Sequence, residues 1–128
     1  MKKILINIFF AVIIISAQTP NNSISSDEAY LPFADTMPEP VDGLQKIKQQ
    51  IKYPIAAQQL KYEGKVIALA FINENGDVDK VKIIQGVEGG CNQEVERVLL
   101  SSKFKPGIKE GVTVKTKLTM AFVFKLAQ

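Results

Sequence analysis

The sequence contains no histidine and no tryptophan, and it has a single cysteine, Cys91. The lack of histidine excludes a His-based catalytic triad and a His-ligated metal site. One cysteine cannot form an internal disulfide, so an apolar core must hold the folded domain together. We interpret the Cys91 thiol as a small apolar group beside a helix, and the alternative is a disulfide between two chains.

Other catalytic features are also missing. Gly86, Gly89 and Gly90 lack the spacing, and the following Lys-Ser/Thr, of a phosphate-binding loop. Residues 73–79 alternate amide and acidic side chains as calcium loops do, but Gly76 stands at the fourth place instead of the sixth, and no glutamate follows at the twelfth. We therefore predict a protein that is not an enzyme and that uses no cofactor and no metal.

No apolar run reaches the ~20 residues of a membrane-spanning helix. Residues 1–18 instead have the pattern of an export signal, because Lys2 and Lys3 precede an apolar stretch over residues 4–15 and small residues follow it. We predict that this signal is cleaved. The alternative is a short N-terminal anchor that stays attached.

Charge is segregated along the rest of the chain. Residues 19–43 carry five acidic residues and no Lys or Arg, whereas residues 44–128 carry 14 basic and 8 acidic residues. Residues 19–40 are polar and contain four prolines, so we predict a flexible acidic leader ahead of a domain over residues 41–128. With one arginine and no ladder of aromatic and basic residues, the domain does not fit a nucleic-acid partner.

Two helices and a hairpin follow from local patterns. Asp42 and Gln45 form a capping-box pattern ahead of a first helix, which ends at Tyr53 because Pro54 follows and begins a second short helix. Residues 65–73 are an apolar run, and residues 78–85 form a second predicted strand with apolar Val81, Ile83 and Ile84. Asn75-Gly76 between them predicts a type I′ hairpin turn. Asn92 is the predicted cap of another helix, whose apolar face is Val95, Val98 and Leu99.

The run from Val112 to Leu126 alternates in polarity and predicts one long strand with a buried even-numbered face. Such a strand is either a well-paired centre or an exposed edge that binds another strand. The order helix, strand, strand, helix, strand predicts an α+β domain, with a three-stranded antiparallel sheet and two helices on one face.

A series of motifs spans residues 37–126 of the chain. They are Met37-Pro38-Glu39-Pro40, Asp42-Gly43, Ile51-Lys52-Tyr53-Pro54, Ala57, Glu63-Gly64-Lys65-Val66, Asn75-Gly76-Asp77-Val78, Glu94 to Arg97, Phe104-Lys105-Pro106-Gly107, Gly111, Val114 and Phe122 to Leu126. In this order and spacing they resemble the C-terminal domain of TonB proteins, in the form common in Bacteroidetes-like bacteria.

The resemblance implies a periplasmic domain that pairs its last strand with a short receptor segment, the TonB box, during TonB-dependent import across the outer membrane. The receptor-facing residues carried over from the family lie in the Tyr-Pro segment and along the last strand. They are Tyr53, Pro54, Val114, Lys115, Thr116, Lys117, Leu118, Thr119, Met120, Ala121 and Val123.

The chain departs from the family at its N-terminal side. Its apolar segment is short, and an extended leader of this length reaches at most ~70 Å. We therefore predict an exported domain that binds TonB-box-type strands without transmitting force, and that contacts the inner-membrane proton-channel motor proteins only if residues 1–18 are retained. The alternative is an accessory or scaffold domain that forms a homodimer or binds envelope components such as peptidoglycan.

Overall fold

The computed structural model describes residues 26–127, so the predicted export signal and residues 19–25 of the leader lie outside the described residues. A 3-10 helix covers Ser26–Ala29, and the α-helices are α1 (Leu44–Gln50), α2 (Ile55–Gln59) and α3 (Cys91–Leu100). The strands are β1 (Glu39–Pro40), β2 (Gly64–Ile72), β3 (Val78–Gln85), β4 (Phe104–Lys105), β5 (Gly107–Lys109), β6 (Val112–Val114) and β7 (Thr116–Phe124). Among the described helices, none is long and apolar enough to cross a membrane.

The main sheet has three antiparallel strands in the order β3-β2-β7, which confirms the predicted α+β fold. Strand β2 is central, and its register with β7 runs from Gly64 opposite Phe124 to Ile72 opposite Thr116. Two small antiparallel ribbons, β1 with β4 and β5 with β6, lie beside this sheet. The last long strand, β7, therefore forms one edge of the sheet.

The core lies between one face of the sheet and the helices. Ala68 and Ala70 of β2 are fully buried, and side chains this small leave room for a helix to pack close to the sheet. On α3, the predicted apolar face of Val95, Val98 and Leu99 is buried, as expected. Cys91, the first residue of α3, is buried beside them, and this burial raises the pKa of its thiol. Cys91 is thus a core residue, in agreement with the favoured interpretation.

Both predicted helix caps are wrong, because glycines stand at the cap positions and no side chain within residues 26–127 caps either helix. Gly43, not Asp42, precedes α1, and its positive φ of 86° turns the chain into the helix. Gly90 precedes α3. The Asn92 side chain instead accepts a hydrogen bond from the backbone N–H of Val87, at 2.9 Å, and so holds the preceding loop.

The hairpin at Asn75-Gly76 is present, but its turn is not type I′, which requires positive φ at both residues. Among the described non-glycine residues only Lys61 and Glu110 have positive φ. The Asn73 side chain instead accepts hydrogen bonds from the backbone of Asn75 and Asp77, at 2.9 and 3.1 Å. This local bonding, with Gly76 as the one left-handed residue of the turn, replaces the predicted turn type.

The predicted single strand over Val112–Leu126 is also wrong, because the chain breaks at Lys115 into β6 and β7. Strand β6 folds back on β5 through a turn at Glu110 and Gly111, whose φ angles are 52° and 78°. Two residues with positive φ are the hallmark of the type I′ hairpin. The first three residues of the run therefore pair outside the main sheet.

Residues 26–40 of the predicted leader are not detached from the domain. Tyr30 is buried, Leu31 pairs beside Thr116, Thr36 pairs with Ile108, and β1 pairs with β4. The low apolar content of the segment suggested flexibility, but one buried tyrosine and several backbone pairs are sufficient to hold it.

Candidate functional site

The outer edge of β7 carries unpaired backbone groups. The Lys115 carbonyl and the Lys117 N–H bond to Leu31 on the side away from β2. Because the direction of backbone groups alternates along a strand, Thr119, Ala121 and Val123 also direct their N–H and C=O groups outward. Within residues 26–127 these groups have no hydrogen-bond partner. The structure thus favours the exposed-edge interpretation of this strand over the well-paired centre.

The two faces of β7 differ as the alternation predicts. Met120, Phe122 and Phe124 are buried on the core face. Thr119, Ala121 and Val123 are exposed, and 69% of the Val123 surface is accessible. The residues that direct their backbone outward are therefore the same residues whose side chains lie on the open face of the sheet.

A groove of about 310 Å³ lies beside the C-terminal half of this edge. Its lining residues are Lys48, Ile51, Tyr53, Ala121, Phe122, Val123, Phe124 and Lys125. The groove has apolar and aromatic walls, with the exposed lysines Lys48 and Lys125 among the lining residues. A side chain of a strand paired to β7 would lie next to this groove.

Tyr53 is held firmly as one wall of the groove. Its ring packs edge-on against Phe124, with ring centroids 5.4 Å apart and planes at 74°. Its hydroxyl donates a hydrogen bond to the Tyr62 carbonyl at 2.5 Å, and burial raises the pKa of Tyr53. The predicted site residue Tyr53 is therefore brought to the open edge.

Pro54 lies behind Tyr53, outside the groove lining. It stands at the N-terminal cap of α2 and is half-buried, and a Cβ placed on Gly90 would lie 3.5 Å from its ring. The predicted end of the first helix at Tyr53 is wrong, because α1 ends at Gln50 and Ile51 already has extended backbone; Pro54 only precedes α2. Of the two residues of the Tyr-Pro segment, only Tyr53 therefore lines the groove.

Thr116, Leu118 and Met120 lie in β7 but do not direct backbone groups to the open edge. By the same alternation, their backbone bonds face β2 and their side chains lie on the core face. Thr116 is fully buried, and its hydroxyl has no hydrogen-bond partner within the described residues.

Val114, the Lys115 carbonyl and the Lys117 N–H are also not available at the open edge. Val114 belongs to β6 and pairs with Gly107. The outward carbonyl of Lys115 and the outward N–H of Lys117 are bonded to Leu31. Of the eleven predicted site residues, the structure brings together Tyr53, Thr119, Ala121 and Val123.

The sequence analysis missed the leader residues that contact the sheet. Asp27 bonds to Lys80 and Lys82, Tyr30 packs on the sheet, and Leu31 pairs with β7. The available signal was the Tyr30-Leu31 pair, two adjacent apolar residues in a segment dominated by polar residues.

No cluster of three or more potential metal ligands (His, Cys, Asp or Glu) occurs in the part of the chain that the structure describes. The edge of β7 presents unpaired backbone N–H and C=O groups beside an apolar groove. Such a surface is suited to the recognition of another polypeptide strand.

Comparisons with known proteins agree with the fold. A family model for the C-terminal region of Gram-negative bacterial TonB proteins matches residues 49–126. The TonB protein of Pseudomonas aeruginosa is 29% identical over 75 residues, which cover 58% of this chain and 22% of that protein. The chain thus corresponds to about a fifth of the length of this relative.

Among solved structures, the solution structure of the Helicobacter pylori TonB C-terminal domain superimposes with a TM-score of 0.52 at 21% identity, and covers 66% of this chain and 77% of that chain. This likeness supports the fold. The family model matches more than half of the chain. The chain belongs to the TonB C-terminal domain family.

Proposed function

We propose that this protein is a periplasmic binding domain that pairs the outer edge of β7 with a TonB-box-type strand of outer-membrane receptors, in TonB-dependent transmembrane transport. The observation that carries the proposal is the set of outward, unpaired backbone groups at Thr119, Ala121 and Val123. Membership of the family supports the choice of partner. No step of the proposed function requires catalysis.

Backbone pairing alone gives a modest affinity. Thr119, Ala121 and Val123 each offer one donor and one acceptor, and each hydrogen bond contributes a net ~0.5–1.5 kcal/mol. Association also has a free-energy cost from lost translational and rotational freedom, and this cost offsets the free energy of several such hydrogen bonds. Side-chain contacts must therefore supply affinity and specificity, and the groove beside Tyr53 is placed to receive every second side chain of the added strand.

The strand-addition proposal is tested by blocking one outward N–H. Ala121→Pro removes the N–H of an exposed residue on an edge, where proline is tolerated because no ladder bond is lost. We expect the variant to fold and to lose binding to peptides that tile the periplasm-facing N-terminal segments of the host's outer-membrane receptors. The measurement is a titration followed by the amide shifts of Thr119 and Val123, which the unchanged chain and both variants retain.

Ala121→Ser is the matched control, because it changes the same side chain and keeps the N–H. It should bind like the unchanged chain. Peptide binding that survives Ala121→Pro would contradict strand addition at this edge. Self-association of the unchanged chain through β7, with no peptide bound, would favour the accessory or scaffold alternative.

A further inference from the structure

Residues 27–31 form a strap across the sheet face opposite the helices. The Tyr30 ring packs edge-on against Phe71 of β2, with centroids 5.1 Å apart and planes at 89°. The Tyr30 hydroxyl donates a hydrogen bond to Asp79 of β3 at 2.5 Å. Only 8% of the Tyr30 surface remains accessible, so this side chain is the main anchor of the strap.

Charged groups hold the N-terminal end of the strap. The Asp27 carboxylate accepts hydrogen bonds from Lys80 and from Lys82, the latter at 3.0 Å. The Lys115 ammonium lies 5.3 Å from the centre of the Tyr30 ring. Ion pairs with exposed lysines stabilise little in water, so these contacts position the strap more than they secure it.

The C-terminal end of the strap occupies part of the β7 edge. The Leu31 N–H donates to the Lys115 carbonyl and the Lys117 N–H donates to the Leu31 carbonyl, both at 2.9 Å. Leu31 thus pairs parallel to β7, as an added strand would. Pro32 follows and has no N–H, and the chain then leaves β7 to pair Thr36 with Ile108.

We propose that the strap regulates the binding edge: docked, it confines a partner strand to Thr119–Val123, and its release opens the further positions at Lys115 and Lys117. This inference rests on the proposed function, since it concerns the same edge. A partner strand that extends past Thr119 competes with Leu31 for the same backbone groups.

The strap is much less extensively bonded than the sheet that it covers. It holds the β7 edge by two backbone hydrogen bonds at one residue, whereas β7 pairs with β2 over nine residues. Segments with few buried contacts open locally at a low free-energy cost, without unfolding the rest of the domain. The apparent affinity for a long partner strand is then lowered by the fraction of molecules in which the strap is open.

The test uses strands of defined length, fused after Ala127 through a flexible Gly/Ser linker so that they reach the edge at ~mM effective concentration. One strand of alternating valine and threonine has about five residues and matches Thr119–Val123, and the other has about nine and reaches Lys115, at ~3.3 Å per residue. Amide hydrogen exchange of Thr119, Ala121 and Val123 reports pairing. In chains without a fused strand, exchange of the Lys117 amide, which donates to the Leu31 carbonyl, reports whether the strap is docked.

Tyr30→Ala opens the strap, and Phe33→Ala is the matched control, because Phe33 is 81% exposed in the same leader. The short strand should protect the three amides equally in the unchanged chain and in both variants. The long strand should protect them about tenfold more in Tyr30→Ala than in the unchanged chain or Phe33→Ala, because the strap no longer competes.

Equal protection by the long strand in all three chains, with the short strand paired, would overturn the inference and leave the proposed function intact. If the short strand protected nothing, the edge would not accept a strand, and the proposed function and the inference would both be wrong. Leu31→Pro provides a second open-strap variant, because it removes the bond to Lys115 without altering Tyr30. It should behave like Tyr30→Ala, and a strap effect absent from both would also overturn the inference.

Discussion

Thr116 carries an energetic cost at the start of β7. It is the buried polar side chain among the described residues, and its hydroxyl has no hydrogen-bond partner there. A buried polar group without a partner costs ~1–3 kcal/mol, because its hydration is lost and not replaced. A Cβ on Gly107 would lie 2.6 Å from the Thr116 methyl, so the side chain is tightly enclosed.

We expect Thr116→Val to stabilise the domain by ~1 kcal/mol, because valine keeps the branched shape and removes the unpaired hydroxyl. Urea unfolding measures the change in the free energy of unfolding. The control is Thr119→Val on the exposed face of the same strand, which should change stability by less than ~0.5 kcal/mol. Destabilisation by Thr116→Val would mean that the hydroxyl has a partner in solution.

Tyr30 makes stability depend on pH in the alkaline range. Burial, followed by the hydrogen bond to Asp79, raises the pKa of Tyr30 from 10.0 to about 12. A raised pKa in the folded state means that Tyr30 contributes stability that is complete below pH 10 and is lost as the pH rises through about 12. The reason is that the unfolded chain ionises its tyrosine first.

The expected result is a steeper loss of stability between pH 10 and about 12 in the unchanged chain than in Tyr30→Phe. Unfolding curves across this range measure it. All other ionisable groups are the same in both proteins, so the difference between the two curves isolates Tyr30. Parallel curves would show that the Tyr30 hydroxyl is solvated.

At the scale of single elements, β7 combines a core face with an open edge. Phe122 and Phe124 are buried, and replacing either by alanine should cost ~3–5 kcal/mol through lost burial and a cavity. Val123, between them, is exposed, and Val123→Ala should cost less than ~0.5 kcal/mol. Chemical unfolding of the three variants measures the contrast, and similar costs for Phe122 and Val123 would show that the two faces are misassigned.

The faces of β7 were predictable from the sequence because alternation is a local property. The break at Lys115 was not, because the even-numbered positions are apolar in the same phase on both sides of it and only Thr116 interrupts them. What ends β6 is its pairing with β5, a contact that no periodicity encodes. The helix caps failed for a related reason, since Gly43 and Gly90 supply backbone conformations that displace the polar caps predicted at Asp42 and Asn92.

At the scale of the whole molecule, the three-stranded sheet was predictable from pattern and the open edge from the family resemblance, but the strand order and the strap were not. Tyr30 and its partner Asp79 are 49 residues apart in the chain. The composition of residues 19–40 indicates a segment that cannot fold alone. It does not indicate whether the segment docks on a surface that the rest of the domain forms. The part of the site that depends on Leu31 was therefore visible only in three dimensions.

Cleavage or retention of residues 1–18 would distinguish the proposed binding domain from an energy transducer. From residues 1–18 we predict a mature protein that begins near Thr19, and mass spectrometry of the intact protein from the periplasmic fraction measures this start. The control is a variant of this chain in which Ser16 and Ala17 are replaced by bulky residues. It should remain uncleaved, because cleavage requires small residues at this site. A chain found with residues 1–18 retained in the inner membrane would instead support an energy transducer that contacts the motor proteins.

The pairing of β2 with β7 has a consequence for biogenesis. Synthesis releases the chain N-terminus first, so β2 emerges before Thr116–Phe124, the strand that completes its other side. Until then the core lacks Phe122 and Phe124, and the strap lacks the edge to which Leu31 bonds. We therefore expect a polypeptide interrupted before β7 to be unfolded, and not a smaller domain. Because the strand that completes the fold is also the proposed binding strand, every fully folded molecule carries the complete edge.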